Sequence, residues 1–222
     1  MDQWLGCETA TPPERKGVCV VGIDLGGSAS MSAAAFYWPE TGRLEAKGWF
    51  PSEPTLGDRG AADAVGQRYC EMEGRKELAT LGVKTVPVAD WLAQIASIAQ
   101  GENIAAIVCD RFKQAEIEEG LAAAGVGAPI VWRGMGFRDG SEDVQRFQRA
   151  VFDDKVRSVP SLLLRSAFAD AVTIKDPSAN LKIAKARSTG RIDAACAATL
   201  AVAEGARILA RPAPKAARMV WG

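Results

Sequence analysis

The chain has 222 residues, of which 27 are basic, 27 are acidic and 48% are hydrophobic, so its formal net charge is zero. This balance is typical of one globular domain, and no apolar run approaches the roughly 18 residues of a membrane-spanning helix. We therefore expect no membrane partner. The complete absence of histidine excludes Ser-His-Asp and Cys-His catalysis and nearly every zinc site. Any chemistry must use carboxylates, Lys, Arg, Ser, Thr, Cys or a hard metal ion.

The ends of the chain differ in composition from its centre. Residues 1–16 contain a Pro-Pro pair and no hydrophobic period, so they are predicted to be an extended linker, and residues 211–222 are predicted to be a C-terminal tail. Residues 17–210 are predicted to form a single domain. The five cysteines are dispersed and form no CxxC pair, which indicates reduced thiols and a cytoplasmic protein.

The first predicted elements are three strands. Residues 18–25 (VCVVGIDL) form an apolar run rich in β-branched side chains, the pattern of a strand covered on both faces. Strands over about 31–38 and 43–50 follow, joined by a Pro-Glu-Thr-Gly turn. The three are predicted to form an antiparallel meander.

Helices and strands alternate in the rest of the chain. Helices are predicted over about 61–80, 88–100, 113–124, 142–153 with Ser141 as its cap, 161–171 and 191–209. Strands are predicted over 104–110 and 129–132, and a hairpin-like segment over 172–186. This order predicts an α/β fold, with a mixed sheet of an antiparallel meander plus parallel strands, flanked by helices on both faces.

Three aspartates occupy the positions where such a sheet gathers ligands. Asp24 and Asp110 each end a buried strand, and Asp193 lies in the first turn of the last helix. If the two strands are adjacent and parallel, the first two carboxylates meet at one sheet edge. Grouped carboxylates repel one another unless a cation joins them, and their oxygens suit Mg²⁺ or Mn²⁺. Two such ions about 3.5–4 Å apart would activate a water and stabilise the leaving oxygen of a phosphodiester.

Each aspartate also has a structural interpretation. Asp24 precedes Gly-Gly and could bond the turn backbone, Asp110 could cap the next helix, and Asp193 favours a helix N-terminus electrostatically. A basic stretch with no acidic residue precedes the last aspartate and comprises Lys182, Lys185, Arg187 and Arg191. It predicts a local surface for DNA despite the zero net charge.

Three segments, in order, resemble the nuclease domain of phage terminase large subunits. They are VGIDLGG (21–27), IVCDR (107–111) and the run 162–203, which contains a DPSAN turn, Lys185 and GRID (190–193). The first motif is weak and the last is far more specific. Together they extend from about residue 18 to residue 205.

The resemblance implies a ribonuclease H-like fold and a metal-dependent endonuclease that cleaves concatemeric double-stranded DNA during viral genome packaging. It assigns metal binding and catalysis to Asp24, Asp110 and Asp193, with Lys185 as the basic catalytic residue. Arg111, Lys182, Arg187 and Arg191 are expected DNA contacts.

The partners implied by the resemblance are the ATPase motor domain of the full-length protein, the small terminase subunit and the portal protein, in the cytoplasm of the host bacterium. No GxxxxGK[ST] phosphate loop occurs in this chain, so the motor is expected elsewhere.

Three alternatives remain open at this point. The segment GIDLGGS (22–28) also resembles the phosphate loop of sugar kinases and actin-like ATPases, although the chain offers no second loop of that kind. A junction resolvase or transposase-like nuclease would use the same fold. A packaging module without catalysis is the third alternative, and three intact acids argue against it.

Overall fold

The computed structural model describes residues 2–27, 30–188 and 190–211. Its strands are β1 (Val18–Asp24), β2 (Ser32–Trp38), β3 (Arg43–Phe50), β4 (Leu78–Thr80), β5 (Asn103–Asp110), β6 (Ile130–Arg133), β7 (Thr173–Lys175) and β8 (Leu181–Ile183). Its helices are α1 (Asp2–Leu5), α2 (Leu56–Ala62), α3 (Arg68–Gly74), α4 (Val88–Ile98), α5 (Gln114–Ala124), α6 (Phe137–Phe152), α7 (Leu162–Asp170) and α8 (Asp193–Leu209). Short 3-10 turns occupy Arg111–Lys113 and Lys185–Arg187.

Six strands form one mixed sheet in the order β4-β3-β2-β1-β5-β6. The meander β1-β2-β3 is antiparallel, whereas β5 runs parallel to β1, β6 parallel to β5, and β4 parallel to β3. The hairpin β7-β8 is separate. The predicted sheet is thereby confirmed, and the parallel pairing of β1 with β5 brings the ends of the two aspartate-bearing strands together.

Helices cover both faces of the sheet, as predicted. Successive side chains of a strand point to opposite faces, and along β2 the odd-numbered residues pack with α8 while the even-numbered residues pack with α4 and α5. The alanine-rich helix α8 is buried from its first residue to Gly205, since α6 and α7 pack on its outer side. Of the helices in the described ranges, none combines the length and the apolar character needed to span a bilayer.

The single helix predicted over 61–80 is wrong. Helix α2 ends at Ala62, α3 is a separate short helix, and β4 completes the segment. Ala64 and Gly66 have φ angles of 56° and 59°, which a right-handed helix cannot contain. The backbone N–H groups of Val65 and Gly66 both bond to the Gly60 carbonyl, at 2.8 and 3.1 Å, and this turn ends α2.

The start of α6 and the conformation of the N-terminal segment also differ from the prediction. Helix α6 begins at Phe137, five residues before the predicted start, so Ser141 lies inside the helix and is not its cap. The Ser141 hydroxyl instead accepts a hydrogen bond from the Leu181 N–H at 3.0 Å, which holds β8 against α6. The N-terminal segment is not extended throughout, because residues 2–5 form α1 and Trp4 and Cys7 are buried. Residues 212–222 of the predicted tail lie outside the described part.

Candidate active site

Two of the predicted acids converge where α8 crosses the end of β1. Asp24 is the last residue of β1 and Asp193 the first residue of α8, and each is only 6% exposed. The helix approaches this closely because Gly22 has no side chain: a Cβ there would lie 2.1 Å from the Ala197 carbonyl oxygen. The small residues of β1 and α8 thus bring the two carboxylates together.

A lysine ammonium lies between these carboxylates. The Lys185 Nζ donates to Asp24 Oδ2 at 2.5 Å and to Asp193 Oδ1 at 3.5 Å. Burial lowers the pKa of Lys185, but the charges of Asp24 and Asp193 outweigh burial and hold it above its ordinary value. The pKa of Asp193 is raised by burial and by the charge of Asp24, and Lys185 partly offsets this. The site therefore contains an internal cation that reduces carboxylate repulsion.

Asp110 lies at the neighbouring strand end. The β1–β5 register pairs Ile23 with Cys109, so Asp24 and Asp110 follow at adjacent positions of the sheet edge. Asp110 is half-buried, and its Oδ1 accepts a hydrogen bond from the Phe112 N–H at 3.0 Å. This contact caps the 3-10 turn after β5, whereas the N-cap position of α5 is Lys113 and not Asp110. Asp110 also lines, with Asp24, a cleft of about 480 Å³.

The donor chemistry of the site fits a hard divalent cation. Asp24 and Asp193 offer buried carboxylate oxygens around a position of positive charge, now held by Lys185. Cys196 is buried beside them, and burial and then the charge of Asp24 raise the pKa of its thiol well above the ordinary value, so it remains a poor ligand. In the described part of the chain, no three carboxylate or thiol side chains are arranged to enclose a metal as they stand.

The predicted DNA contacts separate into two groups. Lys182 and Arg187 line the cleft with Asp24 and Lys185. Arg111 lies outside the residues that line it, although it directly follows Asp110 and its side chain is exposed. DNA contact by these three remains a prediction.

Arg191 belongs to a different environment. Its Nε and Nη2 donate to the two carboxylate oxygens of Asp63 at 2.8 and 2.7 Å. This bidentate pair ties the segment before α8 to the end of α2, so a phosphate would have to compete with Asp63 for the guanidinium. The predicted DNA contact of Arg191 stays untested, whereas its role in holding α8 in place is visible.

Sequence reasoning missed two residues of the cleft, Phe112 and Lys113. The available indication was the triplet Arg111-Phe112-Lys113, an aromatic residue between two cations directly after a strand that ends in aspartate.

Comparison with known proteins identifies the same architecture. Residues 6–207 match the family model of the terminase large subunit endonuclease domain. The large terminase subunit of Enterobacteria phage HK97 is 29% identical over 154 residues, which are 69% of this chain and 30% of that protein. This chain therefore spans less than a third of the length of that relative.

Solved structures agree with this match. The crystal structure of the HK97 bacteriophage large terminase has a TM-score of 0.81 at 25% identity, over 91% of this chain and 42% of that one. The large terminase nuclease from thermophilic phage G20c has a TM-score of 0.58 at 14% identity, over 89% and 94% of the two chains. The same G20c nuclease with bound magnesium gives 0.58 at 13% identity, over 90% and 94%. The expected ribonuclease H-like fold is confirmed, and the chain belongs to the terminase large subunit endonuclease domain family.

Proposed function

We propose that this chain is the metal-dependent endonuclease of a large terminase subunit, which cleaves concatemeric double-stranded DNA during viral genome packaging by a two-metal mechanism. The observation that carries the proposal is the convergence of Asp24 and Asp193 on Lys185 beside a cleft lined by Asp110. Membership of the endonuclease domain family supports the same activity.

The proposed cofactor is Mg²⁺ or Mn²⁺, as two ions held by Asp24, Asp110 and Asp193. Oxygen-only donors support this choice, as do G20c nuclease structures with bound magnesium and with bound cobalt. When bound, the ions supply an activated water and stabilisation of the leaving oxygen. The Phe112 N–H bonds to Oδ1 of Asp110, which leaves Oδ2 for a metal ion.

Basic side chains of the cleft have the proposed task of holding the DNA backbone. Lys182 and Arg187 line the cleft from β8 and the turn that follows it. Lys185 is placed to contact the scissile phosphate once a divalent ion replaces its ammonium between the acids. Arg111 extends this basic surface beyond the cleft.

The partners of the proposed function follow from the length of the relative. This chain spans 30% of the HK97 large subunit, so we expect the ATPase motor domain in the remaining part of the full-length protein. The small terminase subunit and the portal protein are expected assembly partners. The proposed location is the cytoplasm of the host bacterium.

Cleavage of supercoiled plasmid tests the proposal. The 222-residue chain is incubated with Mn²⁺, Mg²⁺ or EDTA, alongside the variants Asp24→Asn and Asp90→Asn. Asp90 is the control, because it is exposed and lies on α4, which packs on the sheet face opposite to α8. We expect nicking or linearisation with metal that is lost with EDTA and in Asp24→Asn but retained in the control. Activity that survives in a folded Asp24→Asn protein, or a folded wild type that is inactive with both metals, would overturn the assignment. Preference for branched DNA over linear duplex would instead favour a junction resolvase.

A further inference from the structure

Phe112 is the most exposed large hydrophobic residue in the described part of the chain. Phe112 is 86% exposed, and the second most exposed aromatic residue, Phe152, is 64% exposed. Leaving an aromatic ring in water forgoes the free energy that its burial would contribute. A single exposed apolar residue is common on a protein surface, so what distinguishes Phe112 is its position on the cleft wall.

The position of Phe112 is fixed relative to the carboxylates. Phe112 lies in the 3-10 turn that follows β5, and its N–H donates to Asp110 Oδ1 at 3.0 Å. The side chain lines the same cleft as Asp24 and Lys185. The backbone of Phe112 is therefore held next to one of the proposed metal ligands, and its side chain lies on the cleft wall.

Basic residues flank the ring in the turn, where Lys113 also pairs with Glu116 at 2.8 Å and Arg111 with Asp139 at 4.0 Å. Lys113 Nζ lies 5.9 Å from the ring centroid, and Arg111 precedes it in the turn. Lys182 and Arg187 stand elsewhere on the cleft wall. An aromatic face among cations suits a nucleobase with phosphates on either side better than it suits an apolar protein surface.

We propose that Phe112 is a base-stacking residue, which contacts an unstacked base of the DNA next to the scissile phosphate. The inference rests on the proposed function, because it takes the cleft as the place where DNA is cut. A paired base is accessible to the ring only after the duplex opens locally, which costs free energy. A mismatched or unpaired base lowers that cost, so such a base near the cut should strengthen binding.

DNA binding in EDTA separates stacking from cleavage. Fluorescence anisotropy of the 222-residue chain with a labelled duplex that carries one mismatch is compared with a fully paired duplex. Phe112→Ala should weaken binding to the mismatched duplex by roughly tenfold. Phe112→Leu should weaken it equally, because leucine is apolar but has no aromatic face on which a base can stack. Phe112→Trp should restore the affinity. The matched control Phe152→Ala, an equally drastic change at an exposed ring on α6, should bind as the wild type does.

A second readout locates the contact directly. DNA with 5-iododeoxyuridine at the mismatch is irradiated with the protein, and mass spectrometry identifies the crosslinked peptide, which should contain Phe112. Equal binding by Phe112→Ala and wild type, full affinity in Phe112→Leu, or crosslinks only elsewhere would overturn the stacking role. If any of these three results is found while the wild type still cuts plasmid, only the stacking inference is wrong. If a folded wild type neither binds nor cuts DNA, the proposed function itself is wrong.

Discussion

At the residue scale, the main feature of the site is that the Lys185 ammonium occupies the position between the carboxylates that we propose for a metal ion. Its ammonium contacts both Asp24 and Asp193, so these acids are stable together without a bound metal. The carboxylates are buried, whereas the Lys185 side chain is 46% exposed, so solvent screens part of this attraction. A divalent ion must therefore displace the ammonium as well as bind the carboxylates.

Replacement of Lys185 by Met tests this competition. Lys185→Met keeps an unbranched side chain, one atom shorter, and removes its charge, so we expect Mn²⁺ to bind about tenfold more tightly, a change of about 1.4 kcal/mol. In EDTA the same variant should melt at a lower temperature, because two buried carboxylates lose their counter-charge. Titration calorimetry and thermal melts measure both effects.

Lys182→Met is the matched control for Lys185→Met. Lys182 lines the same cleft, but its ammonium lies over the Phe137 ring at 4.5 Å from the centroid. Its replacement should leave Mn²⁺ affinity nearly unchanged. Equal Mn²⁺ affinity in all three proteins would show that Lys185 does not compete with metal.

At the scale of elements, the site depends on how closely α8 packs on β1. A Cβ at Gly22 would lie 2.1 Å from the Ala197 carbonyl oxygen and 2.7 Å from the Ala201 nitrogen. Backbone atoms of a helix cannot yield as a flexible side chain can. Any side chain at Gly22 must therefore displace the helix that carries Asp193.

Gly22→Ala should destabilise the fold by about 1–3 kcal/mol or more through overpacking. It should also abolish metal-dependent cleavage, since Asp24 and Asp193 would separate. Gly74→Ala is the matched control: a Cβ there meets nothing within 4 Å, and alanine in a helix should be neutral or stabilising by about 0.5–1 kcal/mol. Urea denaturation gives the comparison, and equal midpoints for the two variants would contradict this account of the packing.

A second link between elements is the Asp63–Arg191 ion pair. Burial raises the pKa of Asp63, but the hydrogen bonds from Arg191 and Tyr69 outweigh burial and hold the pKa below its ordinary value. A lowered folded-state pKa contributes stability that is present above the unfolded pKa and is lost as pH falls through the folded value.

Asp63→Asn should therefore lower stability at neutral pH, by about 1.5–3 kcal/mol for hydrogen bonds to a charged group. The difference from wild type should shrink below about pH 4, where the unfolded carboxyl is protonated. Chemical denaturation across this range measures it. Glu71→Gln, which breaks the exposed pair with Arg75, should change stability by less than about 1 kcal/mol; a pH-independent deficit in Asp63→Asn would exclude the electrostatic explanation.

At the scale of the whole molecule, the N-terminal segment is part of the packed domain. The ring centroids of Trp4 and of Phe168 on α7 lie 4.3 Å apart. Glu8 accepts a hydrogen bond from Arg165 Nε at 2.8 Å. The segment was predicted to be a linker from its prolines and lack of a period. Its buried residues are too few and too close together for a period to show.

Trp4→Ala should destabilise the domain by about 3–5 kcal/mol, the usual result of removing a buried Trp side chain. The neighbouring Leu5 is 44% exposed, and Leu5→Ala is the control, with an expected change within about 0.5 kcal/mol. Chemical denaturation of both variants gives the comparison. A Trp4→Ala protein as stable as Leu5→Ala would mean that α1 contributes nothing to the fold.

Much of the fold follows from local sequence patterns. A continuous apolar run rich in β-branched residues predicted β1, and the Pro-Glu-Thr-Gly turn predicted the boundary between β2 and β3. The end of α5 falls at Gly125, which has a φ of 66°. The single helix predicted over 61–80 is wrong because of the local backbone conformation. Alanine rarely adopts the positive φ that Ala64 has, so Gly66 was the only local indication of the break.

The sequence by itself determined the class of sheet, the aspartates at the strand ends and the absence of histidine chemistry, because these depend on near neighbours in the chain or on composition alone. Only the tertiary structure decided that Lys185 bridges Asp24 and Asp193 and that Arg191 pairs with Asp63. Lys185 and Asp24 are 161 positions apart. Contacts over such separations depend on how closely helices pack on the sheet, and periodicity carries no information about that distance.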